Sequence, residues 1–532
     1  MSRPRKGGGR RHNQRGRQER TQRSPAGGAR ALAGGIVRGV LAGRGAARTH
    51  IERAIDGDQL EARDEGLLTE LVYGTIRHVA TIDLVLGAHA KGGLRKIEES
   101  VLNHLRVATY QLLFLEGVRP AVAVDEAVRA VGRRDHVRGF VNGLLRGLIR
   151  TLDGSQSEDA PPPDVPPSMR LPGREGGWVF LKRPLLPEDA NDPTWLALAC
   201  SLPGKHAAEA YERLGPEGAL ELARAHNSPP PLFLRVNSRQ TTRAEALAYL
   251  NGDEEPCAEP GSLESSILIR GGLGERGSEL LWKGCLTVQD ETAQAVAPLL
   301  EPLAGERLLD LCAAPGGKAT HLAELIGPEG QLEALDVDQA RLDRVGSAAR
   351  RLRLENLRTT LADPADPRPP EGRAIDGVLV DVPCSNTGVL RRRVEVRWRL
   401  ESLDILPLRA LQARLLDQAL ALTRPGGRVV YSTCSIDPVE NEDQVRSRSA
   451  AAATAATPRA CACLASLLRR LRWRSSLARP DHAARLPASL ACSQEADRCG
   501  IGQTLGLEHA RGEGLRRVFW FHGHAPLDQD RP

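Results

Sequence analysis

Between residues 300 and 436 short apolar runs alternate with amphipathic stretches, and this alternation limits the possible folds more than any other feature of the chain. ERLLDLC, GQLEALDVD, IDGVLVDVP and GGRVVYSTCS read as strands, and ATHLAELI, QARLDRVGSAARRL and LQARLLDQALALT as helices. A βαβα succession of this kind predicts a doubly wound, mostly parallel sheet, a Rossmann-like α/β domain. Ligands bind such sheets at the carboxyl ends of the strands. The residues with chemical potential fall there.

At 532 residues the chain is long enough for three or four domains of about 150 residues each. Residues 28–150 carry helical apolar spacing in GLLTELVYGTIRHVATIDLVLGAHA, VLNHLRVATYQLLFLEGV and VRGFVNGLLRGLIRTL, and read as an all-α bundle. Residues 151–199 include DGSQSEDAPPPDVPPSMRLPGREGG and read as a Pro/Gly-rich linker or insertion without a core of its own. Residues 200–299 mix helices with short strand-like runs and predict a small α+β module. Residues 300–445 form the β/α domain. Residues 446–532 are an Ala/Arg-rich tail whose one strand-like run is RRVFWFHGH.

The net charge of +6 is uneven. Residues 1–24 hold nine basic residues against Glu19 alone, so residues 1–27 read as a disordered basic arm suited to phosphate contacts. No stretch approaches the run of about 18 apolar residues that a membrane-spanning helix needs. Ten cysteines without regular spacing do not suggest a disulfide framework, so a reducing cytoplasm is expected. No metal site is expected either: Cys461, Cys463, Cys492 and Cys499 sit irregularly, and no Cys-x-x-Cys pattern occurs near the other cysteines discussed here.

LLDLCAAPGGKATHLAEL reads as a strand, a glycine turn and a helix start. Gly316 and Gly317 permit a tight turn and close backbone approach to a ligand. Asp336 ends the next strand twenty residues beyond Gly316, the spacing of a carboxylate that takes ribose hydroxyls. The turn lacks G-x-G-x-x-G, and Ala319 after Lys318 breaks the Walker pattern. A nucleoside cofactor without phosphates therefore fits better, and S-adenosylmethionine is the common one. The missing phosphate fingerprint also disfavours a nicotinamide oxidoreductase. Lys318 is one of only seven lysines in an arginine-dominated chain, which suggests a compact ammonium is needed there.

Cys384 and Cys434 follow two further strands, in LVDVPCSNTG and VVYSTCSIDP. A thiolate beside an S-adenosylmethionine site can add to carbon 6 of cytosine and make carbon 5 nucleophilic. A second group must then help remove the carbon-5 proton. Either cysteine could take either part. Asp381 could orient the base by accepting from its exocyclic amine.

DLCAAPGGK, DVPCSNTGVLRR with Trp398 following, and YSTCSIDPVENE resemble the signature blocks of RNA cytosine-5 methyltransferases. The chain resembles the bacterial 16S rRNA cytosine-5 methyltransferases of the Fmu/Sun family. LLTELVYGTIRH, ATYQLLFLEGV, AVDEAV and GFVNGLLR resemble that family's NusB-like N-terminal domain, and PPPLFLRVNS and GCLTVQDETAQAVAPLL its RNA-binding segment. The resemblance implies a monomeric, cytoplasmic enzyme that methylates a cytidine in small-subunit rRNA or a pre-ribosomal particle. By the same resemblance Cys434 is the nucleophile and Cys384 assists release. Cys312, Ala313, Ala314, Pro315, Gly316, Gly317 and Lys318 line the cofactor. Asp336 binds its ribose, Asp363 lies near the adenine, and Asp381 lies between cofactor and base. The chain departs from the family's pattern after Val445, where the closing strands are not legible; their loss would leave a sheet edge bare. The alternative reading is a non-catalytic RNA-binding or antitermination-like factor that retains a degraded methyltransferase domain.

Overall fold

A computed structural model describes residues 28–58, 60–157, 164–252, 257–363, 374–453, 507–511 and 514–522. The basic arm and the four tail cysteines lie outside these residues. The chain divides into two compact units, residues 1–154 with 181–185, and residues 155–180 with 186–532.

The first unit is helical: α1 (Ala29–Leu41), α2 (Ala47–Asp58), α3 (Ala62–Arg77), α4 (Val79–Gly87), α5 (Glu99–Phe114), α6 (Pro120–Ala130) and α7 (Asp135–Ile149). Helix α5 packs against α1, α3, α4, α6 and α7, and its Leu105, Tyr110 and Leu113 are fully buried. Gly74 on α3 makes room for it: a Cβ there would stand 2.0 Å from Tyr110 Cζ.

β1 (Leu152–Ser157) follows, and then β2 (Arg170–Pro172) pairs antiparallel with β3 (Trp178–Leu181). This hairpin corrects the expectation that the Pro/Gly-rich segment lacks a core. Trp178, Val179 and Phe180 are buried, and the guanidinium carbons of Arg170 and Arg224 lie 5.0 and 4.5 Å from the Trp178 ring centroid. Trp195 Nε1 on α8 (Pro193–Ala199) donates to Pro167 O at 2.9 Å. The apolar run is only four residues long among prolines and glycines, too short to show a period.

After α9 (Gly204–Asn227) comes the small module: β4 (Leu232–Val236), α10 (Arg243–Asn251), β5 (Ala258–Pro260), β6 (Ser266–Ile269), α11 (Gly274–Trp282) and β7 (Leu286–Val288). Its sheet has the order β5-β6-β4-β7 and is antiparallel throughout. Thr242 and Glu245 form a complete capping box on α10.

The large domain runs α12 (Glu291–Leu299), β8 (Arg307–Asp310), α13 (Gly317–Leu325), β9 (Gln331–Asp336), α14 (Gln339–Leu352), β10 (Leu357–Leu361), β11 (Ile375–Asp381), α15 (Ile405–Leu422), β12 (Thr423–Thr433), α16 (Glu442–Ala453), β13 (Leu507–Arg511) and β14 (Gly514–His522). The sheet order is β10-β9-β8-β11-β12-β14-β13, with β8 to β12 mutually parallel. One apolar cluster packs α12, α13 and α14 on one face, and a second packs α15 on the other. The expected bare edge is not present: β14 pairs parallel with β12 from Arg428↔Arg517 to Thr433↔His522, and β13 pairs antiparallel with β14. The sheet takes up RVFWF, a β-branched and aromatic run, although the Ala/Arg-rich sequence separates it from β12.

The chain winds outward from β8 through β9 to β10, then returns to place β11 on the other side of β8. The order reverses between β8 and β11, the switch point at whose carboxyl ends sheets of this kind bind ligands. The glycine turn leaves β8 at that point, and the Pro-Cys-Ser loop leaves β11 beside it.

Candidate active site

Gly316 caps α13 with φ of 107°, a left-handed conformation that favours glycine. The turn ahead of it folds against the ends of neighbouring strands: Leu311 N donates to Leu379 O at 3.0 Å and Ala313 N to Leu335 O at 2.8 Å. Asp336, at the end of β9, is buried. Its Oδ2 accepts from Ala314 N at 3.3 Å and pairs with Arg341 at 3.3 Å, and its Oδ1 accepts from Asp338 N at 3.2 Å.

Asp310 ends β8 and is almost fully buried; its Oδ1 accepts from Cys312 N at 3.3 Å and its Oδ2 meets no partner. Burial, and then the charge of Asp381, pushes its pKa up to about 7. Burial and the same acids push the Cys312 thiol up, so Cys312 lines the turn as a thiol. Three carboxylates, Asp310, Asp336 and Asp381, thus converge around the glycine turn. Such an acidic setting disfavours phosphate. It suits a cofactor that brings hydroxyls and positive charge, and S-adenosylmethionine fits on both counts. Asp336 would hold its ribose and residues 312–318 would carry its backbone contacts.

Lys318 Nζ pairs with Asp381 Oδ2 at 2.6 Å, and Ser432 Oγ donates to Asp381 Oδ1 at 2.6 Å. Burial opposes the lysine's charge, but Asp381 outweighs it and holds the ammonium above its ordinary pKa. Asp381 and Ser432 are register partners on β11 and β12. The two loops that continue from these strands bring Cys384 Sγ and Cys434 Sγ to 3.0 Å, although 50 residues separate them in sequence. The pair is asymmetric. The hydrogen bond from Cys384 holds the Cys434 thiol below its ordinary pKa, with Lys318 and Arg393 adding positive charge. The same bond and burial raise Cys384 well above the ordinary range. Cys434 is also the more accessible of the two. Asp363 stands exposed just beyond β10, on the same carboxyl side of the sheet as Asp336.

Sequence reading missed the scaffold under the cysteines. Glu440 is fully buried. Its carboxylate accepts from Ser385 N at 2.9 Å, Gln412 Nε2 at 2.8 Å and Ser385 Oγ. Ser385 Oγ also reaches Ser435 Oγ at 3.1 Å, and Ile436 N donates to Thr387 Oγ1 at 3.0 Å. These bonds sew the Pro-Cys-Ser loop to the Thr-Cys-Ser loop. The signal was a carboxylate and an amide in PVENE, six and seven residues past Cys434, but nothing in the sequence shows that they point inward. Asn386 was missed as well. It adopts φ of 65°, its Nδ2 donates to Cys384 O at 2.7 Å, and its Oδ1 accepts from Cys434 Sγ at 3.2 Å.

Arg235, also fully buried, joins the small module to this domain. It donates to Gly317 O at 2.6 Å, Thr320 Oγ1 at 3.0 Å, Glu324 Oε1 at 2.7 Å and Gln289 Oε1.

The 16S rRNA methyltransferase RsmB/F family model matches residues 297–457, the NusB family residues 29–150, and the RsmF/B-like ferredoxin-like domain residues 208–273. A probable ribosomal RNA small subunit methyltransferase B of Bacillus subtilis is 32% identical over 399 residues, 74% of this chain and 82% of its own length. Ribosomal RNA small subunit methyltransferase B of Vibrio cholerae is 33% identical over 400 residues, 73% of this chain and 82% of its own length. Among solved structures, PH0851 superposes with a TM-score of 0.59 at 24% identity, over 79% of this chain and 89% of that one, a likeness of fold. With three domain families in the expected order and relatives matched over most of their length, the chain belongs to the RsmB/F family of 16S rRNA methyltransferases, S-adenosylmethionine-dependent enzymes.

Proposed function

We propose that the enzyme methylates carbon 5 of a cytidine in small-subunit rRNA through a covalent cysteine–cytosine adduct. The observation that carries this reading is the pair of thiols 3.0 Å apart in the loops that continue two neighbouring strands, Cys434 being the more accessible of the two. Cys434, held toward the thiolate, adds to carbon 6. The S–C6 bond forms as the C5=C6 pair moves toward carbon 5, which becomes the nucleophile. S-adenosylmethionine, when bound, supplies an electrophilic methyl group on a sulfonium centre. Asp381, already anchored by Lys318 and Ser432, accepts from the exocyclic amine and fixes the ring above Cys434. The carbon-5 proton then leaves to a base, the C5=C6 bond re-forms and the S–C6 bond breaks. Cys384, whose sulfur lies 3.0 Å from that of Cys434, assists the elimination in this reading. Asp336 and residues 312–318 serve the cofactor, with Asp363 on its adenine side.

The test uses single cysteine variants, each incubated with 16S rRNA and cofactor and run on denaturing gels. Cys434→Ala should neither methylate nor form an adduct. Cys384→Ala should not turn over but should retain a protein–RNA band formed through Cys434. A retained band with Cys434→Ala and none with Cys384→Ala would reverse the two roles. Methylation at a position other than carbon 5 would refute the chemistry.

A further inference from the structure

Three consecutive arginines follow the Pro-Cys-Ser loop, and the fold uses them differently. Arg391 Nε donates to Ser228 O at 3.2 Å and Pro229 O at 3.1 Å. Arg392 Nε donates to Asp290 Oδ2 at 2.8 Å and its Nη2 to Pro231 O at 2.9 Å. Both brace the segment leading into β4. Arg393 turns the other way. Its side chain is exposed, and its Nη1 donates to Asn386 Oδ1 at 2.9 Å, on the same oxygen that Cys434 Sγ reaches at 3.2 Å. The Arg393 backbone is held by a bond from its N to Val389 O at 2.8 Å.

We propose that Arg393 is a positioning residue for Cys434: through the shared Asn386 oxygen, 2.9 Å from its Nη1 and 3.2 Å from the sulfur, it holds a guanidinium nitrogen within about 6 Å of the nucleophilic sulfur and favours its thiolate form. Among the described residues, the charged and titratable groups around Cys434 are Cys384 in the facing loop, Asp381 at the end of β11, Lys318 on α13, Arg393, and the buried Glu440 carboxylate beneath both loops. Lys318 is bound to Asp381, whose negative charge offsets much of its effect at the sulfur. Among the described residues Arg393 has no carboxylate partner of that kind, only the neutral amide. When Cys434 loses its proton, the Asn386 oxygen loses a donor, and Arg393 still occupies that oxygen. The amide therefore stays oriented across the change of protonation. Its left-handed backbone and its bond to Cys384 O keep it between the two loops.

The proposal rests on Cys434 as nucleophile, but its test needs no RNA. Alkylation of Cys434 by iodoacetamide is measured by peptide mass spectrometry on the full chain between about pH 5.5 and 9.5. A unit charge about 6 Å away on an exposed side chain, at an effective dielectric constant of about 40–80, displaces a thiol by about half a unit to one unit. Arg393→Gln should therefore slow alkylation about three- to tenfold at pH 7 and converge with the parent at high pH. Arg393→Lys should fall between them. Arg399→Gln, which removes an equal charge from the next exposed arginine, should leave the profile unchanged. Raising salt from about 0.05 to 1 M should move the parent's profile toward that of Arg393→Gln, which checks the same charge without any substitution. Coincident profiles for parent and Arg393→Gln, an equal shift with Arg399→Gln, or a parent profile indifferent to salt would each overturn the proposal. A failure of Cys384→Ala to retain the RNA adduct would instead refute the methylation chemistry and leave this result standing.

Discussion

Replacing Arg235 by methionine should destabilise the second unit by about 4 kcal/mol, even though it removes no residue of the reaction. The Arg235 and Glu324 side chains are 0% and 2% exposed and pair at 2.7 Å. Removing one partner of such a pair leaves a buried charge unopposed, at about 3–5 kcal/mol. The acceptors on Gln289 and Gly317 also lose a donor. For a unit of this size about 4 kcal/mol lowers the thermal midpoint by roughly 5 °C. The deficit should depend on pH. Burial raises the Glu324 pKa, and Arg235 opposes that rise. Without the arginine the folded-state pKa climbs further. A raised carboxyl contributes stability below its unfolded pKa and loses it as pH rises through the folded value, so the variant should fall further behind the parent at pH 8 than at pH 5.5. Arg235→Met combined with Glu324→Leu should recover at least about 2 kcal/mol of the loss, because no buried charge remains. The assay is urea unfolding of the full chain, reading the transition that shifts when S-adenosylmethionine is added. If the two substitutions add within about 0.5 kcal/mol, the pair is uncoupled and the reasoning fails.

Asp336→Ala should raise the KM for S-adenosylmethionine about ten- to hundredfold, the equivalent of about 1.5–3 kcal/mol for a charged hydrogen bond, and leave the KM for RNA within about twofold. Steady-state kinetics with each substrate varied in turn decide it, and an unchanged cofactor constant would remove the ribose assignment. His206 is buried against the His226 ring at 5.9 Å, and burial, then Arg397 and Arg213, pushes its pKa down to about 4. A depressed histidine folds neutral, so its stability is intact above about pH 6.5 and declines as pH falls toward 4, by up to about 3 kcal/mol. His206→Phe should flatten that decline in urea midpoints measured between pH 7 and 4.5, and equal slopes in both proteins would refute it.

The sheet, the glycine turn and both cysteines were legible because each rests on a local pattern. Strand β8 is an apolar run, the turn needs glycine at Gly316, and the two cysteine blocks sit directly after strands. Strand β10 was not read. It is an edge strand paired only with β9, and Leu357 is its one buried residue, so LRTTL shows no apolar period. The ranking of the two thiols could not be read either. It depends on Lys318, Arg393 and the Cys384 hydrogen bond, groups assembled only when β11 and β12 pair in register.

The arginines show the sharpest limit of reading charge from sequence. Between residues 391 and 399 there are five, and on composition all are candidates for phosphate contacts. In the fold Arg397 is fully buried and donates to Ser201 O at 2.9 Å and Asn227 Oδ1 at 2.8 Å, while Arg391 and Arg392 hold backbone carbonyls ahead of β4. Arg235 is likewise interior. Arg235 and Arg397 therefore carry their charge inside the protein, while Arg391 and Arg392 are half-buried and already engaged with carbonyls and Asp290. The charge left to attract RNA near the cysteines is smaller than the count suggests and is carried by exposed residues such as Arg393 and Arg399. Removing the interior arginines should therefore lower RNA methylation through lost stability, with little change in the salt dependence of binding. Removing Arg399 should reduce that salt dependence and leave the fold intact.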